Sequence, residues 1–353
     1  MAPAQFRQGS LADCPERSPA IRVTKPIQLR IRQEEILPEE MKGSIPEIQK
    51  TLIEQIHILT TYMCTLTCEH CFVCSSPNAQ GTISPSQVTA LLNQTDALGT
   101  VDTIYFEGGE PFLFYPVLVD GVKQARDRGY KVGIVTNGYF ATSDENARLF
   151  LQPLKDLGIT DLSVSDDVFH YEDREDNAAR QTLKTGTEMG FPAANLGLDP
   201  GGSGPGMKAS PREEKKGVIT GGSIMFRGRA AAKLSQYADA KDWRQFTTCP
   251  YEDLVNPSRL HVDAFGNLQI CQGISIGNIW KRPLGELIRT YSPSAHPICG
   301  PLITGGPAQL ARALGYHPPA GVADACHLCW LARKSCREKY PGILAPAQVY
   351  CNE

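Results

Sequence analysis

Three cysteines on one short loop have the most distinctive chemistry in this sequence. Cys64, Cys68 and Cys71 are separated by three and then two residues. Thiolates are the usual ligands of an iron–sulfur cube, which normally takes four cysteines. Because this loop supplies only three, one iron would keep an open position for a cofactor or substrate. The alternative is a zinc site completed by Cys74 or His70, or thiols that only pack.

A glycine-rich turn follows the next apolar segment of the chain. Residues 101–106 predict a buried strand, which runs through Glu107 into Gly108-Gly109-Glu110. Two glycines allow backbone to approach a ligand closely, and a carboxylate can hold an ammonium group. The alternative is an ordinary turn with a solvated glutamate.

In this order and spacing, the two motifs resemble the signature of the radical S-adenosylmethionine (SAM) superfamily. In that family the three cysteines hold a [4Fe–4S] cluster, SAM chelates the open iron, and one electron cleaves SAM to a 5'-deoxyadenosyl radical that abstracts a hydrogen atom. The resemblance implies that Gly108 and Gly109 present backbone groups to SAM and that Glu110 receives its amino group. His70 stands where the family usually has an aromatic residue against the adenine, and its planar ring can still stack.

Composition limits the classes of protein to which the chain can belong. Its 353 residues suffice for one large α/β domain and a smaller module. A net charge of −3 predicts no nucleic-acid or membrane partner, and no apolar run approaches the ~20 residues of a spanning helix. Residues 1–13 show no signal-peptide pattern. Twelve cysteines without an export signal favour metal ligation over disulfides, so we expect a cytoplasmic protein.

Alternating strand and helix patterns from Ile56 onward predict an α/β fold. Such repeats form parallel sheets with right-handed crossovers, and a partial (β/α)6 TIM-like barrel fits them, although a doubly wound sheet would look similar without the cysteine motif. A Gly-rich break at 199–217 is either a lid or a surface connection. The predicted domains are an N-terminal extension at 1–50, the barrel at 51–240 and a cysteine-rich module at 241–353. Predicted helices lie near 84–98, 114–128, 144–157, 175–189 and 230–237, and predicted strands at 56–62, 101–106, 131–135, 161–165, 218–220 and 224–226.

Polar residues follow several of these strands, where parallel barrels gather their chemistry. The segments around Asn137 and Ser165 resemble family segments that contact SAM or substrate, so we predict SAM-binding roles for both. Asp167 and His170, just beyond, are predicted catalytic residues. Arg227 follows the last strand pattern and is predicted to clamp a carboxylate of SAM or substrate. For each residue, ordinary turn chemistry is the alternative.

A second cysteine set lies in the last third of the chain. Cys249 precedes a predicted hairpin at 261–271 that ends on Cys271, and a distant pair, Cys326 and Cys329, completes four thiols. Four thiolates suit iron–sulfur or zinc. The arrangement is similar to the twitch module, the short relative of the SPASM domain of radical SAM enzymes. That resemblance implies one auxiliary [4Fe–4S] cluster. The alternative is a full SPASM domain, which would hold two auxiliary clusters and would need further cysteines such as Cys299, Cys336 and Cys351.

Four cysteine ligands leave no open iron, which favours electron transfer over substrate ligation. We therefore predict a radical SAM oxidoreductase that dehydrogenates a small polar metabolite and takes electrons from flavodoxin or ferredoxin. The alternatives are a peptide maturase that makes a cross-link or an epimerised residue in a ribosomal peptide, an epimerase of a sugar-like substrate, and a non-enzymatic iron–sulfur or zinc protein. An epimerase would need a thiol hydrogen donor, for which the unassigned candidates are Cys74, Cys299, Cys336 and Cys351.

Overall fold

In a computed structural model of the chain, part of the sequence is described residue by residue. The predicted N-terminal extension at 1–50, the Gly-rich break at 199–217 and the strand predicted at 218–220 lie outside that part. The described residues are 52–173, 175–197 and 224–351.

Strands and helices alternate through the first half of the described chain. The strands are β1 (Gln55–Thr61), β2 (Thr103–Gly108), β3 (Lys131–Thr136), β4 (Asp161–Val164), β5 (Ala193–Asn195), β6 (Arg259–Val262), β7 (Asn267–Cys271) and β8 (Ile274–Asn278). The helices are α1 (Pro85–Asp96), α2 (Tyr115–Asp127), α3 (Asp144–Asp156), α4 (Ala178–Glu188), α5 (Arg229–Lys233), α6 (Leu284–Thr290), α7 (Cys299–Leu314) and α8 (Ala325–Ser335). Within the described ranges, none of the helices has both the length and the apolar character needed to cross a membrane.

The eight strands form one mostly parallel sheet in the order β5-β4-β3-β2-β1-β6-β7-β8. Strands β1 to β5 pair in parallel with their neighbours through helical crossovers, β6 joins the free side of β1 in parallel, and β7 and β8 complete the sheet in antiparallel fashion. Buried aliphatic residues such as Ile56, Ile58 and Leu162 form the core. The predicted α/β class with a partial TIM-like barrel is confirmed.

Helix α1 begins where the sequence predicts. The Ser84 hydroxyl accepts a hydrogen bond from the Gln87 backbone N–H, and the Gln87 side chain accepts one from the Ser84 N–H at 2.9 Å. Pro85 occupies the first turn, where a missing N–H costs nothing. This capping box fixes the chain direction immediately after the cysteine loop.

The predicted hairpin is present, and it belongs to the barrel sheet. Gly266 lies at the turn with φ +84°, a conformation that favours glycine. Strand β6 pairs with β1 over four residues, with His57 opposite His261. The domain boundary near residue 240 stays a prediction, and the two regions on either side of it share one sheet.

The strand predicted at 224–226 is wrong. This segment forms no strand, because its backbone bonds to the start of α8 and its side chains pack in a separate small core. The Phe226 N–H donates to Asp324 at the start of α8 at 3.3 Å, and Ile224 and Phe226 pack in a small core with Leu234. The helix predicted at 230–237 is divided into α5 and a short 3-10 turn, Ser235–Tyr237.

Candidate cluster and cofactor site

A cavity of about 310 Å³ lies where the carboxyl ends of β1, β2, β3 and β4 meet. Each of these strands leads into a loop that contributes to the wall, as expected for parallel strands. The lining includes nine of the residues predicted from sequence: Cys64, Cys68, His70, Cys71, Gly108, Gly109, Asn137, Ser165 and His170. Glu110, Asp167 and Arg227 are not part of the lining.

The three thiols of the first set fit an iron–sulfur cluster. Backbone N–H groups donate to two of the sulfurs, from Leu66 to Cys64 at 3.4 Å and from Ser75 to Cys71 at 3.3 Å. Burial raises the pKa of Cys64 to about 12, and burial together with the neighbouring Cys71 raises the pKa of Cys68. Three thiols on one cavity wall, two of them buried and two of them accepting backbone N–H groups, are suited to an iron centre, which would supply the positive charge that their ionised form requires.

An arginine that the sequence did not single out supports the cysteine loop. The Arg229 backbone N–H donates to the carbonyl of Cys71 at 2.9 Å, and its guanidinium donates to the carbonyls of Cys68 and Ser75. A Cβ at Gly228 would lie 2.5 Å from the Phe72 backbone, so this approach requires glycine. Segment 227–229 therefore holds the loop that carries the ligands.

The two glycines after β2 are required by backbone packing. Gly108 has φ +132°, and a Cβ at Gly109 would lie 2.1 Å from the Met63 carbonyl oxygen. The Gly109 N–H donates to the Thr61 carbonyl at 2.6 Å, which joins the turn to the end of β1. Both glycines also line the cavity. The positions that pack closely against the backbone after β1 are therefore the same ones that a ligand in the cavity would meet.

Glu110 does not point into the cavity, so the prediction that its carboxylate receives an amino group of SAM is not supported by its position. The side chain is fully buried and accepts hydrogen bonds from Phe112 N–H at 3.0 Å, the Thr136 hydroxyl at 2.8 Å and Asn137 N–H at 2.7 Å. Burial raises its pKa to about 7, although the three hydrogen bonds act in the opposite direction. The carboxylate instead links the end of β2 to the end of β3.

We expect Glu110→Ala to lower the free energy of unfolding by about 3 kcal/mol, because three buried donors lose their acceptor. Urea unfolding of the cluster-free protein under reducing conditions measures this loss. Glu175→Ala, at an exposed position, serves as the control and should change stability little. Equal effects of the two substitutions would contradict the structural role.

His70, His170 and Asp167 form a connected group at one side of the cavity. The His70 ring lies 4.9 Å from the Phe169 ring and 4.8 Å from the His170 ring, and its Nδ1 is buried without a hydrogen-bond partner. Burial lowers the pKa of His70 to about 4, so its ring is neutral near pH 7. Asp167 accepts from His170 Nδ1 at 2.8 Å and lies behind it, off the wall. The catalytic roles of Asp167 and His170 stay predictions.

Asn137 links the end of β3 to the cysteine loop. Its side-chain amide donates to the Thr65 hydroxyl at 3.1 Å and to Cys64 Sγ at 3.6 Å. Ser165 follows β4 on the same wall. Both lie where a cofactor bound at the cysteine loop would contact them, and their SAM-binding roles remain predictions.

Sequence reasoning missed a buried network at the inner side of the cavity. Glu107 lines the wall, and its Oε2 lies 3.2 Å from His57 Nδ1 while its Oε1 lies 3.6 Å from His261 Nε2. Burial would raise the pKa of Glu107, but His57, His261 and Arg259 together outweigh it and lower the pKa to about 2. Side chains alternate between the two faces of a strand, and this alternation along β1 and β2 could have placed His57 and Glu107 on the same face. His261 joins them only because β6 pairs with β1.

The four thiols of the second set line another, smaller cavity. Cys271 ends β7, Cys326 and Cys329 share one face of the first turns of α8, and Cys249 lies on a loop. Burial raises the pKa of Cys329 to about 11 and also raises those of Cys271 and Cys326. Tertiary structure therefore brings together the four residues that the sequence grouped, and their donor chemistry fits a closed metal or cluster site.

Arg227 lies at this second cavity, not at the first, where it was predicted to bind SAM. Its guanidinium donates to Cys271 Sγ at 3.4 Å. The reason is that segment 224–226 does not continue as a barrel strand and instead packs against the start of α8, which turns Arg227 toward the second cysteine set.

The other described cysteines are not part of the lining of the first cavity. Cys74 and Cys351 form a disulfide, Cys299 is buried in the core, and Cys336 is partly buried. Of the cysteines that the structure describes, only the three of the first set line that cavity. No described thiol is therefore placed there as an additional hydrogen donor.

Comparison with known proteins matches residues 58–185 to the Radical SAM superfamily. The putative peptide biosynthesis protein YydG of Bacillus subtilis (strain 168) is 24% identical over 107 residues, 30% of this chain and 34% of that protein. The tungsten-containing aldehyde ferredoxin oxidoreductase cofactor-modifying protein of Pyrococcus furiosus is 29% identical over 117 residues, 33% of this chain and 31% of that protein. The matches thus span about a third of these curated relatives. The structure of Streptococcus suis SuiB bound to precursor peptide SuiA aligns with 78% of this chain and 76% of that chain, at a TM-score of 0.39 and 13% identity.

Proposed function

Because this chain is a radical SAM enzyme, whose cofactors are a [4Fe–4S] cluster and SAM, we propose that it oxidises a carbon centre of its substrate with the help of a second cluster. The observation that carries this proposal is the second set of four partly buried thiols around a cavity of its own. When bound, the first cluster and SAM supply a radical that removes a hydrogen atom from an unactivated C–H bond.

At the first site, Cys64, Cys68 and Cys71 would hold three irons of the cluster and leave the fourth for SAM. Gly108 and Gly109 offer backbone groups at the wall. Three further side chains line the same wall and are proposed to contact SAM, namely His70, Asn137 and Ser165. The apolar members of the lining, such as Leu59 and Val135, exclude water from the place where a radical would form.

At the second site, Cys249, Cys271, Cys326 and Cys329 would hold a cluster by all four of its irons. Such a cluster has no open position for a substrate, so the chemistry that it supplies is acceptance of an electron. Removal of a hydrogen atom, an electron and a proton from the substrate amounts to a two-electron oxidation.

The cysteines near the first cavity support oxidation over epimerisation. Return of a hydrogen atom to a substrate radical requires a donor such as a thiol beside it. Among the described residues, the thiols on the wall are those of the first set, which the cluster would occupy. Cys74 and Cys351 are joined to each other as a disulfide.

Two substrate classes are compatible with this chemistry. Dehydrogenation of a small polar metabolite, which we predicted from the sequence, stays a prediction, as does the supply of electrons by flavodoxin or ferredoxin. The name of YydG, a putative peptide biosynthesis protein, favours a second candidate function, modification of a peptide. Since the match spans about a third of that relative, a peptide substrate is likewise a proposal.

Iron content tests the proposed second cluster. After anaerobic reconstitution the wild-type chain should contain about eight irons, as two cubes. Alanine at Cys64, Cys68 and Cys71 together should leave about four irons, and so should alanine at all four cysteines of the second set. Cys336→Ala, outside both sets, is the matched control and should retain about eight. Wild-type protein with about four irons and one zinc per chain would refute the proposal.

A further inference from the structure

Two buried arginines flank the second cysteine set, and the chemistry proposed so far gives them no role. Arg227 and Arg333 are 5% and 2% exposed. Both line the same cavity as the four thiols. Among the described residues, neither guanidinium forms a salt bridge with a carboxylate. Glu252 also lines the cavity but pairs with Arg259 at 3.3 Å, and Asp324 interacts with Arg227 only through space. A buried guanidinium without a bonded carboxylate is unfavourable, so the two arginines favour negative charge on the thiols that lie between them.

Arg227 contacts a sulfur atom of the second cysteine set and an aromatic ring of the first cavity. One guanidinium N–H donates to Cys271 Sγ at 3.4 Å, and Nε is buried without a partner. The guanidinium also lies 5.0 Å from the centre of the Phe72 ring, and Phe72 lines the first cavity directly after Cys71. Arg227 therefore contacts one ligand of the second set and a residue adjacent to a ligand of the first.

Arg333 is fixed on the opposite element, helix α8. Its guanidinium donates to the Gln272 carbonyl at 2.9 Å and to the Tyr350 hydroxyl at 3.3 Å, and its Nε donates to the Cys329 carbonyl at 3.4 Å. These partners hold the charge in place beside the thiols. Arginine keeps its proton in proteins, so it is a permanent positive charge.

A cluster bound by four thiolates is negatively charged, and its negative charge increases by one on reduction. Fixed positive charges nearby stabilise the reduced form more than the oxidised form, and in a buried site with little solvent the interaction is weakly screened. Hydrogen bonds to the sulfurs act in the same direction.

We propose that Arg227 and Arg333 are positioning residues that raise the reduction potential of the cluster held by the second cysteine set, which makes it an electron acceptor. This inference rests on the proposed function and specifies how the chain favours oxidation. Arg227 contacts Phe72, so its charge lies on the side of the second set that borders the first cavity.

Redox titration followed by electron paramagnetic resonance tests this inference directly. The full chain is prepared with alanine at Cys64, Cys68 and Cys71, so that the remaining signal comes from the second cluster. Arg227→Gln should make reduction at least tenfold less favourable, a shift of about 59 mV to more negative potential for a one-electron couple. Arg227→Lys, which keeps the charge, should retain most of the wild-type potential. Arg244→Gln removes an exposed arginine of the same region and should leave the potential unchanged.

The result separates the inference from the proposed function. The parent protein, with alanine at Cys64, Cys68 and Cys71, should show a cluster signal and contain about four irons. If it shows neither, the second cluster does not exist. A cluster that is present in Arg227→Gln with an unchanged potential would overturn the role of the arginine and leave the cluster assignment intact. Arg333→Gln provides a second measurement on the other side of the site, with the same direction of shift expected.

Discussion

Cys68→Ala will abolish reductive cleavage of SAM, whereas Cys329→Ala will leave cleavage measurable and stop product formation. Cys68 is one of the three thiols that the described residues place on the wall of the first cavity, where a cluster with an open iron would bind SAM. Cys329 lines the other cavity and is not part of the lining of the first. Loss of a single ligand should therefore separate the two steps of the reaction.

Formation of 5'-deoxyadenosine with a chemical reductant measures cleavage without any knowledge of the substrate. Iron content of each variant shows whether a cluster has been lost, and Cys336→Ala serves as the control for a cysteine outside both sets. Equal rates of 5'-deoxyadenosine formation in wild type and Cys68→Ala would exclude the assignment of the first site. Equal loss in Cys68→Ala and Cys329→Ala would mean that the two sites do not have separate roles.

The reaction will be a net two-electron oxidation that consumes one SAM per turnover. The closed four-thiol set can accept an electron without binding substrate. The part of the chain that the structure describes places no additional thiol on the cavity wall to return a hydrogen atom. The product should therefore be two mass units lighter than the substrate, through loss of two hydrogens.

Turnover in D2O distinguishes oxidation from epimerisation. Any peptide or small molecule that stimulates formation of 5'-deoxyadenosine can serve as the substrate, and mass spectrometry reads the product. Oxidation gives loss of two hydrogens and no deuterium at the reacting carbon. Deuterium at a carbon centre without loss of mass would show that a solvent-exchanging donor quenches the radical, and the oxidation proposal would then fall.

Functional residues could be predicted from the sequence wherever a functional group and its partners lie within a few residues of each other. The three cysteines of the first loop share one wall because the chain between them is too short to separate them. Gly108 and Gly109 were also predictable, because the backbone of a tight turn directly after a strand requires glycine whatever the rest of the fold is. Strand and helix periodicity likewise predicted the alternation through β4, because burial on a sheet or helix face imposes it.

Side-chain direction and long-range pairing were decided only in three dimensions. Glu110 and Glu107 lie three residues apart, yet the turn after β2 buries Glu110 against Thr136 and leaves Glu107 on the cavity wall. Nothing in the local sequence distinguishes the two carboxylates.

The same limit applies to Arg227 and to the pair of His57 and His261. Arg227 reaches Cys271 because segment 224–226 packs on the start of α8, a contact with residues about a hundred positions away. His57 meets His261 because β6 takes the free side of β1 across about two hundred residues. Such pairings depend on which strand edges remain unpaired after the barrel has formed, and this is a property of the whole fold that no short segment of sequence contains.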